Sequence, residues 1–257
     1  MPPTSGIGRP SDLRFSYIAS MEKILIIGAT SGIGRELARQ YAAAGHLVGA
    51  TGRRQDMLYS LQLEYPNHIL TQCYDTTASD TTSHLDTLLQ KLGGLDLLIY
   101  NAGWGDLKEK LDWEVDKATV DVNVNGFLAA AHYGWQYFTE QRHGHLVTIS
   151  SIAGTRGNRY SPAYSAAKAF QSIYFEGLAI KARRMKIPLY ITDIQPGFVD
   201  TKMAKGPKFW VAPVDKAARQ IVRGIERKRR RLYVTRRWWV IAKLFKWIPG
   251  WVYYRVG

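Results

Sequence analysis

The chain of 257 residues, 46% of them apolar, is long enough to bury one sizeable core, and its single cysteine, Cys73, excludes an internal disulfide framework and a cysteine-based zinc site. The formal charge of +14 is uneven: residues 223–257 hold eleven Lys and Arg against one acid, Glu226, so +10 of the total sits at the C-terminal end. No uninterrupted apolar run reaches the ~20 residues of a membrane-spanning helix, and a cytoplasmic protein in a reducing compartment, soluble or peripheral at the inner face of a membrane, is expected.

Residues 1–20 are rich in Pro, Gly and Ser, lack periodicity and precede Met21, so they are expected to form a disordered lead or an alternative start. The hexapeptide Thr4-Ser5-Gly6-Ile7-Gly8-Arg9 recurs as Thr30-Ser31-Gly32-Ile33-Gly34-Arg35, and only the second copy follows an apolar run able to form a buried strand. From Lys23 onward short apolar runs alternate with helical segments: a strand over Ile24–Gly28, a helix over Gly32–Ala44, a strand over His46–Thr51 and another helical stretch. Further strands are expected at Ile69–Tyr74, Leu95–Tyr100, His145–Ile149, Leu189–Ile194 and Arg231–Val234, seven in all. Being nearly all apolar, they suit strands buried on both faces, which places the chain in the α/β class as a single domain over residues 21–235, with a doubly wound parallel sheet.

The first of these strands runs into Gly28-Ala-Thr30-Ser31-Gly32-Ile33-Gly34 and then a helix start, the context of a dinucleotide site on a Rossmann fold. Gly28 permits the tight turn, Gly32 lets the backbone approach a pyrophosphate, and Gly34 lets helix pack on strand; free N–H groups at the helix start offset phosphate charge. The second strand ends Thr51-Gly52-Arg53-Arg54, where a site for the free ribose 2′-hydroxyl of NAD would carry an acid. Arg53 instead offers a bidentate phosphate partner, which favours NADP(H); the alternative is that Arg53 and Arg54 form a solvated helix start.

Further along come Asp75, Asn101-Ala102-Gly103, Asn123 in Val122-Asn123-Val124-Asn125-Gly126, Ser150-Ser151, Tyr164-x3-Lys168 and Pro196-Gly197-x-Val199-x-Thr201. With the glycine turn, this series resembles the short-chain dehydrogenase/reductase family in order and spacing from residue 21 to about 235. Tyr164 and Lys168, four apart on a helix expected over Ser161–Ile180, share a face. A phenol is a poor base at neutral pH; a lysine ammonium one turn away, with the positive ring of an oxidised nicotinamide nearby, is expected to lower its pKa. Ser151 can donate to the substrate oxygen where negative charge gathers. The resemblance implies a strand order of 3-2-1-4-5-6-7 and a hydride exchanged between NADPH and a carbonyl or alcohol. It also implies that Asn123 holds a water that relays protons through Lys168 to Tyr164, and that Lys168 grips the nicotinamide ribose. Asn101 would lie by the adenosine ribose, Asp75 by the adenine amino group and Thr201 by the carboxamide or pyrophosphate. The family's usual pairing into homodimers or homotetramers is implied as well. Ile27 stands where the family usually has threonine, which weakens a turn hydrogen bond without touching the chemistry.

Substrate is expected beyond the strand carboxyl ends, among Trp104, Asn158, Tyr160, Phe198, Met203 and Trp210; most of these are apolar or aromatic, and the aromatic ones either receive a hydrophobic substrate or pack on one another. His143-Gly144-His145 lacks further ligands at a recognisable spacing, so no metal site is expected. Residues 236–257 form a basic extension in which Trp238, Ile241, Ala242, Phe245 and Ile248 recur at helical steps and Pro249-Gly250 ends the helix. That amphipathic face is expected to contact an anionic membrane; the alternative is that it covers the protein's own core or a subunit partner, while nucleic acid is disfavoured. Two rivals to a reductase remain: a catalytically idle NADP-binding scaffold or redox sensor recruited by this tail, and an epimerase or dehydratase with tightly held cofactor.

Overall fold

The chain is described here by a computed structural model covering residues 21–201 and 209–256. The lead expected over residues 1–20 and the candidate Met203 lie outside the described residues.

Strand β1 (Lys23–Ile27) shows how the sheet is buried. Ile24 and Ile26 enter one apolar cluster, Leu25 and Ile27 another, as the two-residue alternation of a strand requires when helices cover both faces. In chain order there follow α1 (Gly32–Ala43), β2 (Leu47–Gly52), α2 (Gln55–Glu64), β3 (Ile69–Cys73), α3 (Thr81–Leu92), β4 (Leu97–Tyr100), α4 (Trp113–Val120), α5 (Phe127–Gln141), β5 (Gly144–Ile149), α6 (Pro162–Met185), β6 (Leu189–Pro196), α7 (Val214–Glu226), β7 (Arg231–Val234), α8 (Trp238–Trp247) and α9 (Gly250–Val256). Leu37 of α1, Leu58 of α2 and Ile221 of α7 fill the first cluster, whereas Leu88 of α3, Phe127 of α5 and Phe175 of α6 fill the second.

The seven strands are parallel in the order β3-β2-β1-β4-β5-β6-β7, as expected. The differences from the anticipated strand limits are small and physical. β4 begins at Leu97, because Asp96 turns its carboxylate to the Lys23 N–H at 2.8 Å. Helix α6 starts at Pro162, whose fixed φ suits a first turn, and runs on to Met185, where Lys186 adopts the left-handed conformation that ends it.

In sheet order the chain reverses direction at β1: its helix returns on one face to β2, and β4, on the other side, begins the second half. Crevices form at the carboxyl ends of strands where such a reversal occurs, and the register of Ile27 opposite both Thr51 and Tyr100 brings three strand ends level there. Phe127 anchors the second cluster, with its ring 5.5 Å from Tyr100 and 5.4 Å from Phe175. Phe127→Ala is expected to lower the unfolding free energy by ~3–5 kcal/mol and Phe127→Leu by much less, as read by denaturant titration.

Candidate active site

Beyond the ends of β1, β4, β5 and β6 lies a cavity of about 890 Å³. Its floor is the turn after β1. Gly28 has φ +91°, and a Cβ there would lie 2.6 Å from the backbone nitrogen of Ala102, so only glycine lets the β1 and β4 turns approach this closely. Asn101 locks the approach by donating from Nδ2 to the Gly28 carbonyl at 2.6 Å. Ser31 begins α1 without using its side chain as a cap, leaving the first helical N–H groups open toward the cavity.

Two arginines flank this turn. Arg54 donates to the Ser31 hydroxyl at 2.8 Å and to the Thr30 hydroxyl, while Arg53 pairs with Asp75 at 3.4 Å. Burial works against ionisation of Asp75, but hydrogen bonds from Thr77 and the Arg53 charge hold its carboxyl below the usual range. The expected phosphate partner, Arg53, therefore lies next to the expected adenine-side residue, and its neighbour Arg54 is the one that reaches the glycine turn.

At the other end, Lys168 of α6 is only 3% exposed. Its ammonium donates to the Ile149 carbonyl and to Gln171 Oε1, each at 3.0 Å, and lies 5.7 Å from the centre of the Tyr164 ring. Gln171 in turn donates from Nε2 to the Asn123 carbonyl at 2.9 Å. Asn123 sits in a π-helical turn, Asp121–Gly126, between α4 and α5; its Nδ2 donates to the carbonyls of Trp104 and Thr119, and its buried Oδ1 has no partner among the described residues. Ser151, at the end of β5, accepts from Ala153 N at 3.1 Å and caps a short 3₁₀ turn, Ile152–Thr155.

Burial pushes Lys168 down to about 7, against the opposing pull of Asp193, and pushes the Tyr164 phenol up to about 12, an effect that the Ser151 hydroxyl partly offsets. Burial is thus the dominant influence on the Tyr164 phenol in the protein alone, and the lowering expected from Lys168 together with an oxidised nicotinamide belongs to the cofactor-bound protein.

Of the anticipated residues, Gly28, Thr30, Ser31, Gly32, Ile33, Arg53, Asp75, Asn101, Ala102, Gly103, Ser151, Tyr164, Lys168, Pro196, Gly197, Val199 and Thr201 line the cavity, with Trp104, Asn158, Tyr160 and Phe198 on the substrate side. Gly34 is packed against the Gly28 carbonyl and Asn101 rather than the cavity, and Asn123 stands behind its wall. Trp210, expected to meet substrate, does not line the cavity: its ring lies 6.1 Å from Trp238, with Arg237 over it, and Phe209 takes the lining position. His145 is core, bonded to Thr192 at 2.7 Å and kept neutral by burial beside Lys228, with its pKa at about 3.

The C-terminal extension requires the largest correction. The face expected to meet a membrane instead closes the cavity: Trp238 is 1% exposed, and its ring occupies the space a Cβ on Gly197 would need. Phe198 and Phe209 flank Trp238 at 5.5 and 5.1 Å, and Phe245 and Tyr253 complete this roof. Arg156 ties the roof down, donating to the carbonyls of Phe245 and Ile248 with its guanidinium 4.9 Å from the Tyr253 ring centre. As expected, α8 ends ahead of Pro249-Gly250, and Pro249, accepting from Val252 N and Tyr253 N, opens the further helix α9. Gln171, Arg156 and Tyr253 carried no local motif; Trp238 and Phe245 were visible as an apolar stripe, and Arg54 as the second arginine after Gly52.

The short chain dehydrogenase family profile matches residues 22–210. An uncharacterized oxidoreductase of Myxococcus xanthus is 36% identical over 196 residues, covering 74% of this chain and 77% of that protein. Another, from Mycobacterium tuberculosis, is 31% identical over 237 residues, covering 88% and 92%. The crystal structure of a short-chain dehydrogenase from Streptomyces avermitilis superposes with a TM-score of 0.76 at 25% identity, over 88% of this chain and 92% of that one.

Lys168 yields a pH test. Its folded pKa is depressed to about 7 from 10.5, so between these values the unfolded chain holds a proton that the folded chain does not, and stability rises with pH across that window. The unfolding midpoint of the wild type should therefore gain on that of Lys168→Met as pH rises above 7; parallel curves would show an ordinarily hydrated lysine.

Proposed function

Since the chain belongs to the short-chain dehydrogenase family, whose members are oxidoreductases that use a nicotinamide cofactor, we propose that it is an NADPH-dependent reductase of hydrophobic carbonyl compounds. The observation that carries this reading is the convergence of Ser151, Tyr164 and Lys168 on the cavity whose far end holds the glycine turn, Arg53 and Arg54.

The residues present fit the cofactor. The uncapped start of α1 and the open turn at Gly28 suit a pyrophosphate, Arg54 and Arg53 suit a ribose 2′-phosphate, and no acid stands at the end of β2 to favour a free hydroxyl. Asn101, Asp75, Lys168 and Thr201 would hold the adenosine ribose, adenine, nicotinamide ribose and carboxamide sides respectively. When bound, the nicotinamide supplies the hydride.

The protein does the rest. Ser151 donates a hydrogen bond to the substrate oxygen and so stabilises its growing negative charge. Tyr164, kept as a phenol by burial, gives that oxygen its proton. Lys168 lies beside the resulting phenolate and stabilises it. The unpartnered Oδ1 of Asn123 is a buried acceptor suited to a water behind Lys168, from which the site can be reprotonated. A buried acceptor and a lysine near neutrality support such a relay, with Gln171 positioning Lys168 against the Asn123 carbonyl. On the substrate side, Trp104, Phe198, Phe209 and the roof residues Trp238, Phe245 and Tyr253 favour an apolar substrate.

Turnover is measured as loss of reduced-nicotinamide absorbance across ketones, aldehydes, sugars and lipid-linked carbonyls. Tyr164→Phe is expected to lower kcat by ~10²–10⁴ while NADPH still binds. Tight NADPH binding with no turnover of any carbonyl would instead identify a scaffold or sensor. In a second measurement, Arg53→Ala/Arg54→Ala is expected to weaken NADPH binding about 10- to 100-fold and NADH binding little, by loss of charge-assisted bonds. Equal losses for both cofactors would remove the NADPH preference.

A further inference from the structure

With the inner face of the extension committed to the cavity, its outer face is left uncovered. Trp247, Trp251 and Tyr254 are 81%, 67% and 89% exposed, and Trp239, Val240 and Leu244 are exposed beside them. Such a cluster of large apolar side chains is unusual on a surface that faces only water. The cations of the same segment, Arg236, Arg237, Lys243, Lys246 and Arg255, are also exposed, and no acid follows Glu226. Three of them stack on surface indoles: Arg237 lies 5.1 Å from the centre of Trp210, Lys243 6.0 Å from Trp239 and Arg255 5.9 Å from Trp251.

We propose that the outer faces of α8 and α9 dock the protein on an anionic lipid surface, with the cavity mouth turned to the bilayer. Indole and phenol rings partition to the headgroup zone, and cations beside them meet lipid phosphates, so the mixture of side chains matches an anionic interface rather than an apolar partner alone. Two copies of this chain would bring two acid-free basic faces together, which charge opposes. Among the described residues no helix is long and apolar enough to cross a membrane, and α8 has ten residues, so the helices lie along the surface.

The position of these helices gives the docking a consequence. Trp238, Phe245 and Tyr253 point inward from the same two helices to line the cavity, and Leu107, Tyr160 and Phe209 both line it and are exposed. An apolar rim therefore joins the docking surface to the cavity, and a carbonyl compound dissolved in lipid can pass between them without crossing water. This last step rests on the reductase reading; the docking does not.

The test uses the full chain in flotation with vesicles of phosphatidylcholine alone or mixed with phosphatidylglycerol, alongside Leu244→Ser/Trp247→Ser/Trp251→Ser. These three side chains are exposed and outside the cavity, so NADPH binding and turnover of a water-soluble carbonyl report intact folding. The wild type is expected to float with anionic vesicles, less so in high salt, with about tenfold weaker partitioning for the variant and a matching loss of turnover only for a vesicle-embedded carbonyl. Failure of the wild type to float, or equal flotation of the variant, would overturn the docking, as would a variant that loses a dimer and keeps its vesicle binding. Flotation without turnover of any carbonyl leaves the docking supported and removes the reductase reading.

Discussion

The close approach of the turns after β1 and β4 is the constraint on which the rest of the site depends. The two strands lie side by side in the sheet, and Gly28 sits against Ala102 with no room for a side chain. That contact, held by the Asn101 amide, fixes where α1 begins and hence where its open N–H groups point. The same turn from β4 continues into Gly103 and Gly105, which lie against Lys168 and the Tyr164 ring. One glycine contact thus connects the glycine-turn end of the crevice to the end that holds Tyr164 and Lys168.

Around that crevice the protein buries polar groups to an unusual degree. Lys168, Gln171 and Asn123 form one buried chain, and Asp193, bonded by Ser150 and by Gln195 at 2.7 Å, forms a second beneath it. Burying an ammonium costs free energy, and here two acceptors and the more distant carboxylate of Asp193 recover only part of it, so the lysine falls toward neutrality. A group near neutrality gains or loses a proton with little driving force, whereas a solvated lysine at pH 7 holds its own firmly, and this is what the proposed relay draws on.

The extension shows how one amphipathic segment can serve two faces. Its inward residues complete a cavity that the sheet and its helices leave open at the top, with Gly197 as the socket for Trp238. Its outward residues then have no core to join. Residues that line the cavity and residues exposed on the outer surface therefore share the same two short helices.

Much of this was legible in the sequence. The run Ile24–Ile27, the glycine turn, and Tyr164 and Lys168 one helical turn apart are local patterns, and local patterns follow from backbone geometry alone. The seven strands and their parallel sense followed from apolar runs alternating with helices, because a parallel sheet must cross over between strands, whereas their order came from the family resemblance. Periodicity also revealed the apolar stripe through Trp238 and Ala242, yet it could not say what that stripe covers. Only the tertiary structure decided that it roofs the cavity, that Arg54 rather than Arg53 reaches the glycine turn, that Gln171 joins Lys168 to Asn123, and that burial pushes the Tyr164 phenol upward. Each of these depends on segments far apart in the chain meeting in space, where burial and partner identity are set by neighbours that no local spacing encodes.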